Sequence, residues 1–237
     1  MTESLSQNNP GNPTALKWAV PAELGIPPDP LRIRLDFHHQ ALTLTEFDGD
    51  LVNTRVVSAY EVAQALASEL NLASGLLPEN TLWWKNSRSG PIYAVYVAPG
   101  IYKVAVQVDP KKPARRYTIP LPGLIFLCIP GQEPWVYAVK KKPRSESDPV
   151  FAAPLLNIFA NGRSCPGSNQ YPERVEKIVE MFFLSFFTRD ANYTGRSKKY
   201  PLDIENLWRE LNKKTKFPLE DLVQIGTVKN LIELGIG

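Results

Sequence analysis

Four apolar runs between residues 91 and 140 constrain the fold more than any other feature: PIYAVYVA, IYKVAVQV, YTIPLPGLIFLCI and PWVYAVK. Each is short, rich in β-branched and aromatic residues, and closed by Pro, Gly or charged turn residues, which is the pattern of strands. Proline removes a backbone donor and keeps to strand ends and edges, and this chain carries 22 of them. Short strands in direct succession imply an antiparallel meander. Upstream, LRIRLDFHHQALTLTEF alternates, with Leu31, Ile33, Leu35 and Phe37 on one face, so it reads as strand. Asp48-Gly49 then predicts a hairpin turn into LVNTRVV.

Helical signals flank the strands. Ser58 and Glu61 predict a capping box at the start of SAYEVAQALASEL, with Val62, Leu66 and Leu70 as its apolar stripe. YPERVEKIVEMFFLSFF places Val175, Ile178, Val179, Phe182 and Phe186 at helical spacing, with Pro172 suited to the first helical position. PLDIENLWRELNKKT predicts a second helix with Ile204, Leu207, Trp208 and Leu211 inward, and PLEDLVQI and VKNLIEL predict short terminal helices. Residues 1–30 are polar and read as a flexible lead-in, leaving residues 31–237 as one domain. The expected class is α+β, in the order hairpin, helix, meander, cysteine loop, helices.

Charge narrows the function. Lys and Arg exceed Asp and Glu by only 3, too little to imply nucleic acid. The basic residues gather in PKKPARR (110–116) and KKKPR (140–144), which read as solvated loops. No apolar run approaches the roughly 20 residues that span a bilayer, and MTESLSQNNPGNP has no signal-peptide pattern. The expected compartment is the cytoplasm, where thiols stay reduced.

The chain has two cysteines, in contrasting settings. Cys128 lies in the apolar run GLIFLCIP, where burial makes a thiol inert. Cys165 lies in PLLNIFANGRSCPGS, where Asn161-Gly162 predicts a tight turn and Pro166-Gly167 stops any helix or strand. That places a sulfur on irregular, approachable backbone, with Arg163 close enough to favour thiolate modestly. His38 and His39 are adjacent in an expected strand, which points them to opposite faces.

NIFANGRSC resembles the active-site segment of ubiquitin-conjugating enzymes, His-Pro-Asn-Ile-Tyr-x-x-Gly-x-Ile-Cys. Asn157 matches its asparagine, Ile158 and Phe159 its apolar-aromatic pair, Gly162 its glycine and Cys165 its catalytic cysteine, at the same spacing. Leu155 and Leu156 stand where the motif has His and Pro, and Ser164 where it has Ile. The order of elements over about residues 58–215 is also similar to that family. LLPENTLWW and the cysteine loop look closer to its prokaryotic branch, which includes protein B of the bacterial PRTRC system and the conjugating enzymes of bacterial ubiquitin-like operons, a family context that suggests antiviral defence. The resemblance implies a ubiquitin-conjugating-like fold with an extra N-terminal β-hairpin. It implies three partners: an activating enzyme, a ubiquitin-like modifier and a target amine, and neither nucleic acid nor membrane. A metallopeptidase accompanies them in such operons. Asn157 would stabilise the oxyanion, and Asp190 or Tyr200 would fill the family's gate position.

The implied chemistry carries the modifier as a thioester on Cys165 and passes it to an amine, with no cofactor and no metal. Two other classes remain open on the sequence. A cysteine hydrolase removing a ubiquitin-like tag would need a base near Cys165, and only His38 and His39 exist. A non-catalytic ubiquitin-like-binding module of the same fold would have no use for the cysteine.

Overall fold

The structure, a computed structural model, describes residues 32–69, 75–87, 89–109, 111–191 and 194–236. The expected lead-in at 1–30, together with Leu31 and Leu70, lies outside the described residues, as does the side chain of Leu66. Contacts divide the chain into two units, Met1–Ala73 and Ser74–Gly237.

In the first unit, β1 (Ile33–Phe37), β2 (Leu42–Asp48) and β3 (Leu51–Val57) form an antiparallel sheet in sequence order. The expected hairpin is β2–β3, and β1 adds a third strand. Register explains the alternation: Leu35 sits opposite Leu44, and Phe37 opposite Leu42, which faces Val57 in turn. His38 and His39 are not in a strand, contrary to the sequence reading. They lie in the bend between β1 and β2, closed by the His38 N–H donating to Ala41 O at 2.8 Å. Gly49 takes the positive φ of +60° that the β2–β3 turn requires. Helix α1 (Ala59–Glu69) follows. Its capping box forms as expected: the Ser58 N–H donates to Glu61 Oε2 at 2.7 Å and the Glu61 N–H to Ser58 Oγ at 3.1 Å.

The second unit is built on strands β4 (Thr81–Ser87), β5 (Gly90–Val97), β6 (Gly100–Val106), β7 (Arg115–Leu121), β8 (Gly123–Cys128), β9 (Trp135–Val139) and β10 (Pro149–Ala152). The middle of the meander is one long, bent hairpin. Val97 pairs with Leu124 and, past the bend at Pro99 and Pro122, Gly100 pairs with Leu121. Proline breaks the ladder there because it offers no N–H. The inner halves join a six-stranded sheet of order β12-β10-β9-β8-β5-β4, where β12 is Gln224–Thr227, and the outer halves form a second sheet with β11 (Phe186–Phe187).

The six-stranded sheet is covered on both faces. Phe126 and Cys128 of β8 point into one core with Ile178 and Phe182 of α2 (Val175–Leu184) and Leu207 and Trp208 of α3 (Ile204–Leu211). Ile125 and Leu127 point into the other, with Val228 and Leu231 of α4 (Val228–Glu233). All of β8 is therefore buried, which is why its sequence is a continuous apolar run rather than an alternation. Lys85 of β4 fixes α4 by donating to Ile232 O and Leu234 O at 2.6 and 2.7 Å, carbonyls left open at a helix end.

The helices depart from expectation at their ends. Helix α2 begins at Val175, with Pro172 outside it, because the Pro172 carbonyl accepts from Gly131 N and ties that segment to the β8–β9 turn. It ends at Leu184, where Ser185 Oγ donates back to Phe182 O at 2.7 Å, so Phe186 leaves the helix stripe and pairs as strand with Ala105. The segment expected as a helix at PLEDLVQI is a 3₁₀ turn, Leu219–Asp221, followed by strand β12. Together this is an α+β structure, mostly antiparallel. No helix of the described residues is long and apolar enough to cross a membrane.

Candidate active site

The loop from Ala153 to Ser168 joins β10 to the approach of α2 and carries Cys165 on the return limb of a tight turn. Leu155, Leu156 and Ile158 are fully buried and fix its first limb in the core. The turn closes with the Phe159 N–H donating to Arg163 O at 2.8 Å and the Gly162 N–H to Phe159 O at 2.9 Å. Ile158 bridges Ser164, and the Cys165 N–H donates to Asn157 O at 2.6 Å. The return limb also docks on β9: the Val136 N–H donates to Gly162 O at 2.7 Å and the Ser164 N–H to Pro134 O at 2.9 Å.

Glycine at 162 is required twice over. Its φ is +92°, and a Cβ there would fall 2.4 Å from the Tyr137 ring, whose hydroxyl donates to Asn161 O at 2.7 Å. The Asn-Gly signal therefore marks a real turn, sealed by a tyrosine from β9.

Cys165 is half-buried and free, whereas Cys128 is fully buried. Burial pushes the Cys128 thiol far above its ordinary range, so it stays protonated. Arg163, expected beside Cys165 as a source of positive potential, is committed elsewhere. Its Nε donates to Glu133 Oε1 at 2.6 Å, and its Nη2 donates to the same oxygen.

Asn157 is 6% exposed, with a φ of +60°. Its Nδ2 donates to Phe186 O at 2.9 Å, and its Oδ1 accepts from the Thr188 N–H at 2.6 Å and from Thr188 Oγ1 at 3.0 Å. Phe186 of β11 and Thr188 just beyond it thus take up the side chain, leaving one N–H of the amide beyond these bonds. Asp190 is exposed, and its N–H donates to the same Thr188 hydroxyl at 3.3 Å. Tyr200 donates to Glu210 Oε2 at 2.6 Å on α3. The structure thus links Asn157, Thr188 and Asp190 in one chain of hydrogen bonds and directs Tyr200 to a separate carboxylate.

Two groups that sequence reasoning missed also hold the loop. Trp208 Nε1 of α3 donates to Pro154 O at 2.8 Å. Arg196, 4% exposed, donates through Nη1 to Ala153 O at 3.2 Å and through Nη2 to Ile158 O and, at 2.9 Å, to Phe159 O. Trp208 was legible as a core residue but not as a donor. Nothing in TGRSKKY separates Arg196 from the exposed basic residues that follow it.

The second unit contains no histidine, since His38 and His39 belong to the first. Among the described residues, no group of three His, Cys, Asp or Glu side chains is placed to hold a metal ion. Cys165 sits on a tight turn with its own N–H tied back to Asn157 O, an approachable thiol of the kind that can carry an acyl group.

No curated protein and no solved structure matches the chain. The model of prokaryotic E2 family D matches residues 58–225, from the capping box of α1 into β12. With Cys165 and its loop inside a match over most of its length, the chain belongs to the prokaryotic E2 family D, which gives it an E2-like conjugating function in general terms.

Proposed function

We propose that the protein accepts a ubiquitin-like modifier on Cys165 as a thioester and passes it to an amine. The Cys165 thiolate attacks the carbonyl of the modifier's C-terminal residue, held as a thioester on the activating enzyme, whose own thiolate leaves. A target amine then attacks the new thioester, Cys165 departs as thiolate, and the amine loses a proton as the amide forms. ATP is used before the first step, so neither step here needs it. The expected E2-like topology fits the order of meander, cysteine loop and helix α2. Asn157 supports both steps by holding the loop, and its remaining N–H offers a donor to the developing oxyanion, a type of contact worth about 3 kcal/mol. Asp190 is the candidate gate carboxylate.

The observation that carries this reading is the half-exposed thiol on a tight turn inside the segment matched by the prokaryotic E2 family D. Hydrolysis of an unactivated amide calls for a base beside the cysteine, whereas transfer from a thioester does not. The test mixes the protein with its activating enzyme, the modifier and ATP. We expect a gel shift reversed by thiol, lost in Cys165→Ala, and resistant to thiol in Cys165→Ser, where an oxyester forms. Cys128→Ala should charge normally. A reducible adduct that survives Cys165→Ala rejects the assignment.

A further inference from the structure

We propose that Arg196 is a positioning residue for Cys165, holding the main chain of the cysteine loop in the shape the transfer needs; this rests on the function proposed above. The guanidinium spans an arc of the first limb, with donors to Ala153 O at one end and to Ile158 O and Phe159 O at the other. Two of the residues it grips, Ile158 and Phe159, face the cysteine limb, and Asn157 directly precedes them. Phe159 exchanges backbone bonds with the turn, Ile158 bridges Ser164, and Asn157 O receives the Cys165 N–H. Movement of the first limb is therefore passed directly to the sulfur.

The chemistry suits arginine and not lysine. Carbonyls at separated points along an arc call for a planar fork with several donors, and an ammonium presents one point. Burying that cation is costly. Desolvation pushes Arg196 down to about 10, so it is still charged at neutral pH. Ala153 and Ile158 are fully buried, so their carbonyls need a donor from the protein, and Arg196 reaches them together from one side chain. The arrangement fits a loop whose geometry matters more than its contribution to stability, because misplacement of a nucleophile by about 1 Å can slow a reaction a hundredfold.

The test uses the full chain with Arg196→Lys and Arg196→Met. Leu231→Ala, a core truncation in α4 on the opposite face of the sheet, serves as a control for lost stability. Thioester formation on Cys165 is measured in single turnover across activating-enzyme concentrations, beside melting temperature. We expect both Arg196 variants to lose about tenfold or more in the maximal charging rate with little change in the half-saturating concentration. Leu231→Ala, at a similar loss of melting temperature, should charge at the parent rate. Methylguanidinium added to Arg196→Gly should restore part of the rate. Parent-like maximal rates in Arg196→Lys, or a loss no larger than that of Leu231→Ala, overturn the proposal. Where Arg196→Met does not fold, Arg196→Lys decides. Failure of the parent itself to charge rejects the underlying function instead.

Discussion

At the scale of single residues, Asn157 has more than one duty. Its backbone carbonyl receives the Cys165 N–H, and its carboxamide binds Phe186 O and both donors of Thr188. Asn157→Ala would remove the bonds to the part-buried Thr188 N–H and Phe186 O, at up to about 1 kcal/mol for each where water replaces the amide. It would also put a Cβ-bearing residue with no local hydrogen bond at a positive φ. We expect a fall in melting temperature, with charging and discharge of Cys165 slowed together, because both steps use the same loop. Discharge slowed beyond charging, by about a hundredfold, would mark loss of the oxyanion donor as well. The two rates measured on one preparation separate these outcomes. The sequence made Asn157 visible through its spacing from Cys165, but its partners lie some thirty residues downstream, where no local pattern could name them. Arg163, two residues before the cysteine, has its guanidinium in an ion pair with Glu133, a partner thirty residues upstream that no local pattern could name.

At the scale of elements, helix α3 does more than its apolar stripe announced. Ile204, Leu207, Trp208 and Leu211 are inward as the spacing predicted. The same helix buries Glu205 completely. Arg115 Nε and Nη2 donate to its two oxygens at 2.8 and 2.9 Å, the Tyr117 hydroxyl at 2.8 Å and Arg189 Nη2 at 2.8 Å. Burial opposes ionisation of Glu205, but the bonds from Arg189, Tyr117 and Arg115 outweigh it and hold the carboxyl below its ordinary range. A carboxyl lowered in the folded state contributes stability above its unfolded pKa, near 4.3, and loses it as pH falls through the folded value. Melting temperature should therefore drop between about pH 4.3 and more acid conditions. Glu205→Gln should flatten that limb while costing about 3 kcal/mol at neutral pH, since Arg115 and Arg189 lose their buried partner. A melting curve for Glu205→Gln that keeps the parent's acid limb assigns the effect to other carboxyls. Periodicity located α3 because the stripe is local. It could not expose Glu205, whose partners come from β7 and from the segment after β11. The short α2 has the same origin: Phe186 fits the helical spacing, but Ser185 ends the helix and the β6 edge claims the strand.

At the scale of the whole molecule, the modest excess of 3 positive charges is unevenly placed. The visible exposed face of α1 carries Glu61 and Gln64, and basic residues concentrate in the loops around 111–116 and 140–144. The structure divides the first of these loops. Arg115 is spent on Glu205, while Lys111, Lys112 and Arg116 are exposed, Lys112 with only a loose pair to Asp109 at 3.8 Å. In the second, Lys140 and Lys142 lie over the rings of Phe151 and Tyr96, and Lys141 is 3.9 Å from Asp148. If these loops guide an acidic activating enzyme or an acidic modifier surface toward the protein, their effect falls on association rate. It is also confined to low salt, because the screening length is about 10 Å at 0.1 M. Replacing Lys111, Lys112 and Arg116 with Ser, and leaving Arg115 in place, should slow second-order charging of Cys165 several-fold at low ionic strength. The difference should shrink as salt rises, with melting temperature unchanged. Including Arg115 would confuse docking with the loss of the Glu205 cluster, so its exclusion lets the rate speak for the surface alone. Equal rates for variant and parent at low salt would leave the loop as ordinary solvated surface and move the search for the docking face to α1.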